Sequence, residues 1–213
     1  MLPSTESNFD KAHPFAGSSH LTSAGISTKI GKLMKREHLE HLIRAAGAIA
    51  DTDELVIIGS QAILGACPTA PAELLRSMEA DIYPLADPSK ADLIDGSIGE
   101  ASPFHETFSY YAHGVGPTTA VLPADWQERA VIICNENTNG VRGLCPHPSD
   151  LAVSKLVAGR QRDMEFVQAL LRHQIITAPD ITKRIDALSP EHASLARERL
   201  GRCVSEATPE PRD

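Results

Sequence analysis

The feature that most limits the possible folds is a short, continuous apolar run that ends in a glycine and a serine. Residues 55–58 read Leu-Val-Ile-Ile, and Gly59 and Ser60 follow at once. A run of this length without a polar residue is typical of a strand that is buried on both faces. The glycine suits a tight turn, after which a helix is predicted to begin near Gln61. We therefore expect a buried strand whose end leads directly into a helix.

The turn at Gly59 and Ser60 is a candidate anion-binding site. It lacks the G-x-G-x-x-G spacing of dinucleotide-binding folds, the Gly-Lys-Ser/Thr of a P-loop and the G-x-S-x-G pattern of a nucleophile elbow. Backbone N–H groups at such a turn, together with the Ser60 hydroxyl, can form a small cradle for an anion. The alternative is that the glycine is needed only for the sharp turn.

An acidic pair follows in the segment Glu79-Ala80-Asp81, which the alternation over residues 79–83 predicts to be a strand. Side chains at positions i and i+2 of a strand point to the same side, so the two carboxylates converge. Such a pair is stable when it is exposed or when a divalent cation lies between its members, and Mg²⁺ prefers oxygen ligands. The sequence thus leaves two alternatives, a magnesium site or a solvated acidic surface.

A basic cluster is predicted on helices in the second half of this acidic chain. Lys155, Arg160 and Arg162 lie close in sequence to Asp150 and Asp163. One interpretation is a set of exposed ion pairs, each contributing under about 1 kcal/mol. The other is that Lys155 neutralises phosphate charge in a site whose carboxylates bind metal.

The order of the predicted elements indicates an α/β (α+β) fold, with a mixed sheet flanked by helices and a helical C-terminal part. An amphipathic helix is predicted over residues 33–50, and strands over 118–122 and 129–134. From residue 149 onwards the chain is predicted to be helical, with Ser149 or Asp150 as the first cap. Residues 1–28 are rich in Ser, Pro, Gly and His and are expected to form a mobile leader.

Composition excludes several classes of protein. A formal net charge of −8 and an aromatic content of 4% argue against a nonspecific single-strand binder, which needs a basic groove and stacking rings. No apolar run approaches the roughly 20 residues of a transmembrane helix, and the N-terminus has no secretory pattern, so we expect a cytoplasmic protein without a membrane partner. The cysteines lack the spacing of a zinc site.

Taken together, these segments resemble the nucleotidyltransferase superfamily of DNA polymerase beta. More narrowly they are similar to the AbiEii-type proteins associated with bacterial toxin–antitoxin systems. The resemblance is carried by LVIIGSQAILG, SMEADIYP and SDLAVSKLVAGRQRDMEFVQALL, and it spans residues 33–176. It implies a nucleotidyltransferase-like domain over residues 29–176 and a helical extension over 177–213.

The resemblance also implies an activity, the transfer of a nucleotidyl group from a nucleoside triphosphate (NTP). Gly59, Ser60 and Lys155 would bind the nucleotide, and Glu79 and Asp81 would carry Mg²⁺. Positioning and charge neutralisation would supply most of the catalysis.

The catalytic residues implied in the same way are Lys155 and Asp163. The acceptor would be an RNA, such as tRNA, or a protein. The resemblance leaves open whether the protein is a toxin, and its other partners would be an antitoxin or a further protein.

Three departures from the family pattern support a second hypothesis. The first acid is Glu79, where Asp is usual, and the interval from Ser60 to Glu79 is longer than usual. A third carboxylate is expected on a later strand, where the sequence has His113. The alternative function is therefore that of a catalytically degenerate relative that acts by binding a nucleotide or a partner.

Overall fold

A five-stranded mixed sheet with helices packed on it is the framework of the protein. The computed structural model describes residues 33–207, and the leader predicted for residues 1–28 lies outside them. The strands are β1 (Glu54–Ile58), β2 (Glu79–Pro84), β3 (Tyr111–Gly114), β4 (Val131–Ile133) and β5 (Arg142–Cys145). The helices are α1 (Arg36–Ala50), α2 (Ile63–Ala66), α3 (Ala91–Ile98), α4 (Pro103–Phe108), α5 (Pro148–Ala158), α6 (Gln161–Arg172), α7 (Ala178–Ile185) and α8 (Pro190–Ala207). The α/β fold expected from the sequence is confirmed.

The apolar run at residues 55–58 forms the central strand of this sheet. The strand order is β3-β2-β1-β5-β4, so β1 has two strands to one side and two to the other. It pairs antiparallel with β2 and parallel with β5. Its four apolar side chains are all buried, as the continuous run predicts.

Alternating side chains of β1 enter two separate apolar clusters. Leu55 and Ile57 contribute to the larger core, which also includes the buried faces of α1 and of the C-terminal helices. Val56 and Ile58 enter a smaller cluster with Tyr83 and Trp126. This burial on both faces explains why the strand has no polar residue.

Strand β5 was not predicted from the sequence. Its four residues include Gly143, and a Cβ atom there would overlap the side chain of Ile43. The glycine therefore allows α1 to pack closely on this strand. The strand predicted over residues 118–122 was wrong: a short 3₁₀ turn over Pro117–Thr119 leads into irregular chain.

The C-terminal helices α5 to α8 pack against one another. Helix α5 begins one residue before the predicted cap Ser149, because Pro148 occupies its first turn and the side chain of His147 accepts the hydrogen bond from the Ser149 N–H. At its other end Gly159 has a φ of 70°, and Arg199 of α8 donates to the carbonyl oxygens of Leu156 and Val157. The domain boundary at residue 176 stays a prediction. Among residues 33–207, the structure has no helix with the length and apolarity needed to span a bilayer.

Candidate active site

The register of three neighbouring strands gathers the predicted acidic pair at one place. In the antiparallel pair of β1 and β2, Ile58 lies opposite Asp81, so the Gly59 turn begins beside the acidic segment. In the parallel pair of β2 and β3, Glu79 lies opposite Tyr111 and Asp81 lies opposite His113. Because alternate residues of a strand share a face, all four side chains lie on the same face of the sheet.

Two carboxylates and one imidazole converge on that face. His113 Nδ1 lies 3.1 Å from Asp81 Oδ1 and 3.6 Å from Glu79 Oε1. One ligand atom from each of these three residues lies within 4.8 Å of the others. In the part of the chain that the structure describes, no third carboxylate joins them. Burial raises the pKa of Asp81, and Glu79 raises it further, whereas His113 lowers it.

The second oxygen of each carboxylate faces a group other than the imidazole. The Tyr111 hydroxyl donates to Glu79 Oε2 over 2.8 Å. Burial and this carboxylate raise the pKa of Tyr111, so its hydroxyl remains a donor at neutral pH. Gly59 approaches Asp81 so closely that a Cβ atom would overlap Oδ2. The oxygens left facing the imidazole are therefore Glu79 Oε1 and Asp81 Oδ1.

Lys155 connects the turn after β1 to the helical layer. Its Nζ lies 3.1 Å from Ser60 Oγ and 3.1 Å from Asp163 Oδ1. The Lys155 side chain is 14% exposed and that of Asp163 only 2%. Asp163, in the first turn of α6, also accepts a hydrogen bond from the backbone N–H of Arg160, the residue just before the helix. The ammonium group is thus held at the end of the Gly59-Ser60 turn, and its counter-ion is buried behind it.

A cleft of about 640 Å³ opens above these groups, within the range of small-molecule sites. Ser60, Glu79, Asp81 and Lys155 all line it. Its basic lining also includes the residues Arg76, Arg160, Arg162 and Arg172. Arg172 forms an ion pair with Glu73, whereas the other three arginines are exposed and form no ion pair with a described residue. The cleft therefore combines an acidic cluster with cations free to bind an anion.

The site residues predicted from the sequence lie in or beside this cleft. Three of them do not line it: Gly59 and His113 lie against Asp81, and the carboxylate of Asp163 is buried against Lys155. Sequence reasoning missed Tyr111 and Arg76. Tyr111 carried a usable signal, since it lies two residues before His113 and so shares its face. Arg76 lies in irregular chain, and no periodicity could have placed it.

A comparison with known families agrees with this geometry. The sequence model of a family described as "Nucleotidyltransferase of unknown function (DUF6036)" matches residues 37–199. This range is most of the chain, and it includes both strands of the acidic cluster and the helices that carry Lys155 and Asp163. No curated protein matches the chain significantly, and neither does any solved structure.

Proposed function

Because the chain belongs to this family of nucleotidyltransferases, we propose that it transfers a nucleotidyl group from an NTP to an RNA or protein acceptor. The observation that carries the proposal is that Ser60, Lys155 and the acidic pair line the same cleft. A triphosphate needs both an anion-binding turn and carboxylates that can hold its cation.

Glu79 and Asp81 fit the role of cation ligands. Their free oxygens lie on one face, and Tyr111 fixes the orientation of Glu79. A divalent cation, expected to be Mg²⁺ from the resemblance, would neutralise charge between these carboxylates and the phosphate oxygens.

Gly59, Ser60 and Lys155 are proposed to hold the triphosphate. The Lys155 ammonium group is fixed by two contacts and by the ring of Phe166, whose centroid lies 5.4 Å away. A cation that is already ordered needs little reorganisation when negative charge develops beside it. The exposed guanidinium groups of Arg160 and Arg162 would neutralise further phosphate charge.

Asp163 is proposed to act through Lys155. Its carboxylate is buried, and it holds the ammonium group next to Ser60. We therefore assign Lys155 the catalytic role and Asp163 a positioning role. In the reaction, an acceptor oxygen forms a bond to the α-phosphorus while the bond to the β-phosphate oxygen breaks, and pyrophosphate leaves.

A second candidate function is nucleotide binding without transfer. It is favoured by one observation, the imidazole of His113 at the position where a third carboxylate is expected. A general base or a second cation site would then be missing. This candidate predicts nucleotide binding to the cleft with no labelled product.

The test incubates the purified protein with α-³²P-labelled NTPs, a divalent cation, and either total RNA or total protein. We expect label in one acceptor class with the unsubstituted chain, and a loss of at least a hundredfold in Asp81→Asn and Lys155→Met. The matched controls are Asp92→Asn and Lys183→Met, both on exposed helix positions outside the cleft, and these should retain activity. Equal labelling by Asp81→Asn would contradict the proposed site, and nucleotide binding without labelling would favour the second candidate.

The sequence segments that resemble AbiEii-type proteins suggest a biological setting for this proposal. We propose a bacterial, cytoplasmic protein that acts on RNA or protein either as a toxin or beside an antitoxin partner. A small gene adjacent to this one whose product binds the protein and blocks labelling would support that setting.

A further inference from the structure

The position expected for a third carboxylate holds a histidine whose ring nitrogen faces both acids. His113 Nδ1 lies 3.1 Å from Asp81 Oδ1 and 3.6 Å from Glu79 Oε1. These separations are close to those between neighbouring ligand atoms of one metal ion that is bound at about 2.0–2.2 Å. The three side chains arise from adjacent positions of paired strands, so all of them approach from the same side.

The surroundings orient the ligand atoms toward a common point. Tyr111 binds the oxygen of Glu79 that is farther from this point, and Gly59 crowds the corresponding oxygen of Asp81. Partners that fix unused ligand oxygens in this way tune the affinity of metal sites. The acidic side chains line the cleft, so the remaining coordination positions are open to a ligand bound there.

We propose that Glu79, Asp81 and His113 form a three-ligand site that selects a first-row transition cation, such as Mn²⁺, over Mg²⁺. Mg²⁺ prefers an all-oxygen environment and binds imidazole poorly. Mn²⁺ takes carboxylate ligands as Mg²⁺ does, but as a transition cation it also accepts an imidazole nitrogen. The histidine would therefore make the site favour the transition cation. The inference rests on the proposed function, because it names the cation of the same site.

The preference can be measured on the full chain without any nucleotide. Titration of Mn²⁺ is followed by the loss of the EPR signal of the free ion, and Mg²⁺ is added as a competitor. We expect Mn²⁺ to bind the unsubstituted protein at least tenfold more tightly than Mg²⁺. His113→Ala should weaken Mn²⁺ binding by at least tenfold and leave Mg²⁺ binding nearly unchanged. His192→Ala, on α8, is the control and should change neither affinity.

A second variant tests the cation preference without relying on the alanine substitution. His113→Asp restores the three-carboxylate set, and its affinity ratio should shift toward Mg²⁺. Equal affinities of the unsubstituted protein for the two cations, or unchanged Mn²⁺ binding by His113→Ala, would overturn the inference. A lack of nucleotidyl transfer would count only against the proposed function, because these affinities need no nucleotide. Transfer that proceeds while the two cations bind the unsubstituted protein with equal affinity would leave that function intact and overturn the inference.

Discussion

Gly59 is the residue at which the backbone of the central strand meets the candidate cation site. Its φ and ψ of 73° and −167° fall in a region that only glycine occupies readily, and a Cβ atom would overlap the carboxylate of Asp81. We predict that Gly59→Ala lowers the free energy of unfolding by about 1–3 kcal/mol and also weakens cation binding. Denaturant unfolding and Mn²⁺ titration measure the two effects.

The matched control for this substitution is Gly140→Ala. Gly140 also has a positive φ, of 81°, but a Cβ atom there would meet nothing within 4 Å. The Gly140→Ala variant should therefore lose stability through backbone strain and retain cation binding. If both variants bound the cation more weakly, backbone strain alone would explain the loss. That result would contradict the role assigned to the close contact between Gly59 and Asp81.

Tyr111 provides a second test at the residue scale. Tyr111→Phe removes the hydrogen bond to Glu79 Oε2 and keeps the ring. Loss of such a supporting contact typically weakens metal binding by about 10–100-fold. We expect a loss near the lower limit, measured by the same titration, without a change in secondary structure.

Tyr110→Phe is the control for this loss. The neighbouring hydroxyl makes a bond of equal length, 2.8 Å, to His41 Nδ1 outside the acidic cluster. Its removal should leave cation affinity unchanged. Similar losses in the two variants would contradict the role assigned to Tyr111.

The candidate site was predictable to the extent that it is local in sequence. The convergence of Glu79 and Asp81 follows from strand alternation alone. The partners of these acids could not be predicted in the same way. Tyr111 and His113 lie about thirty residues further along the chain, and only the pairing of β2 with β3 brings them next to the acids. The contact between Gly59 and Asp81 likewise depends on the pairing of β1 with β2.

At the scale of elements, a buried ion-pair network joins the start of α5 to α7. The side chain of Asp150 is fully buried, 2.8 Å from Arg184 Nε and 3.0 Å from a terminal nitrogen of Arg129. We predict that Asp150→Ala lowers the free energy of unfolding by about 1.5–3 kcal/mol, because both cations lose their hydrogen bonds to the buried carboxylate and keep only Asp125 as a partner. Urea unfolding followed by circular dichroism measures the change.

An exposed ion pair serves as the comparison for Asp150. Asp186 lies 2.6 Å from Arg197, and both side chains are more than half exposed. Asp186→Ala should therefore cost less than about 1 kcal/mol. Comparable losses at the two positions would contradict the structural role of the buried network.

Some helices and strands could be predicted from their own sequences, and others could not. Strand β1 and helix α6 were predicted because a continuous apolar run and a regular helical period are strong local signals. Strand β5 was missed because it has only four residues, one of them a glycine, and it is stabilised by lying between β1 and β4. The run at residues 118–122 has strand-forming residues, but it pairs with neither of the edge strands β3 and β4.

At the scale of the whole molecule, acid unfolding tests how the segment around Trp126 is attached to the helices. Asp125 forms ion pairs with Arg129 and Arg184, and these guanidinium groups lower the pKa of Asp125 from 3.8 to about 2. A carboxyl group with a lower pKa in the folded protein stabilises it above the unfolded pKa. That contribution is lost as the pH falls toward the folded value.

We therefore expect Asp125→Asn to be less stable than the unsubstituted protein at neutral pH. The difference should shrink as the pH falls through about 4, remain in part at about 2, where the folded carboxyl group is half ionised, and vanish at still lower pH. Unfolding midpoints in urea, measured across this range, follow the change. A difference that persists in full well below about pH 2 would contradict the assignment of the stabilisation to the ionised Asp125.

One ligand of the candidate cation site, and the tyrosine that orients another ligand, lie on an edge strand that has only one neighbour. Strand β3 pairs with β2 alone, and its register places Tyr111 and His113 opposite the two acids. A shift of β3 by one residue would bring Ala112 or Gly114 opposite Asp81 and turn both aromatic side chains away. A one-residue insertion or deletion between α4 and β3 that is absorbed by such a shift would remove the phenol and the imidazole together. The length of the loop before β3 is thus constrained, because a one-residue shift of the strand removes both side chains from the site at once.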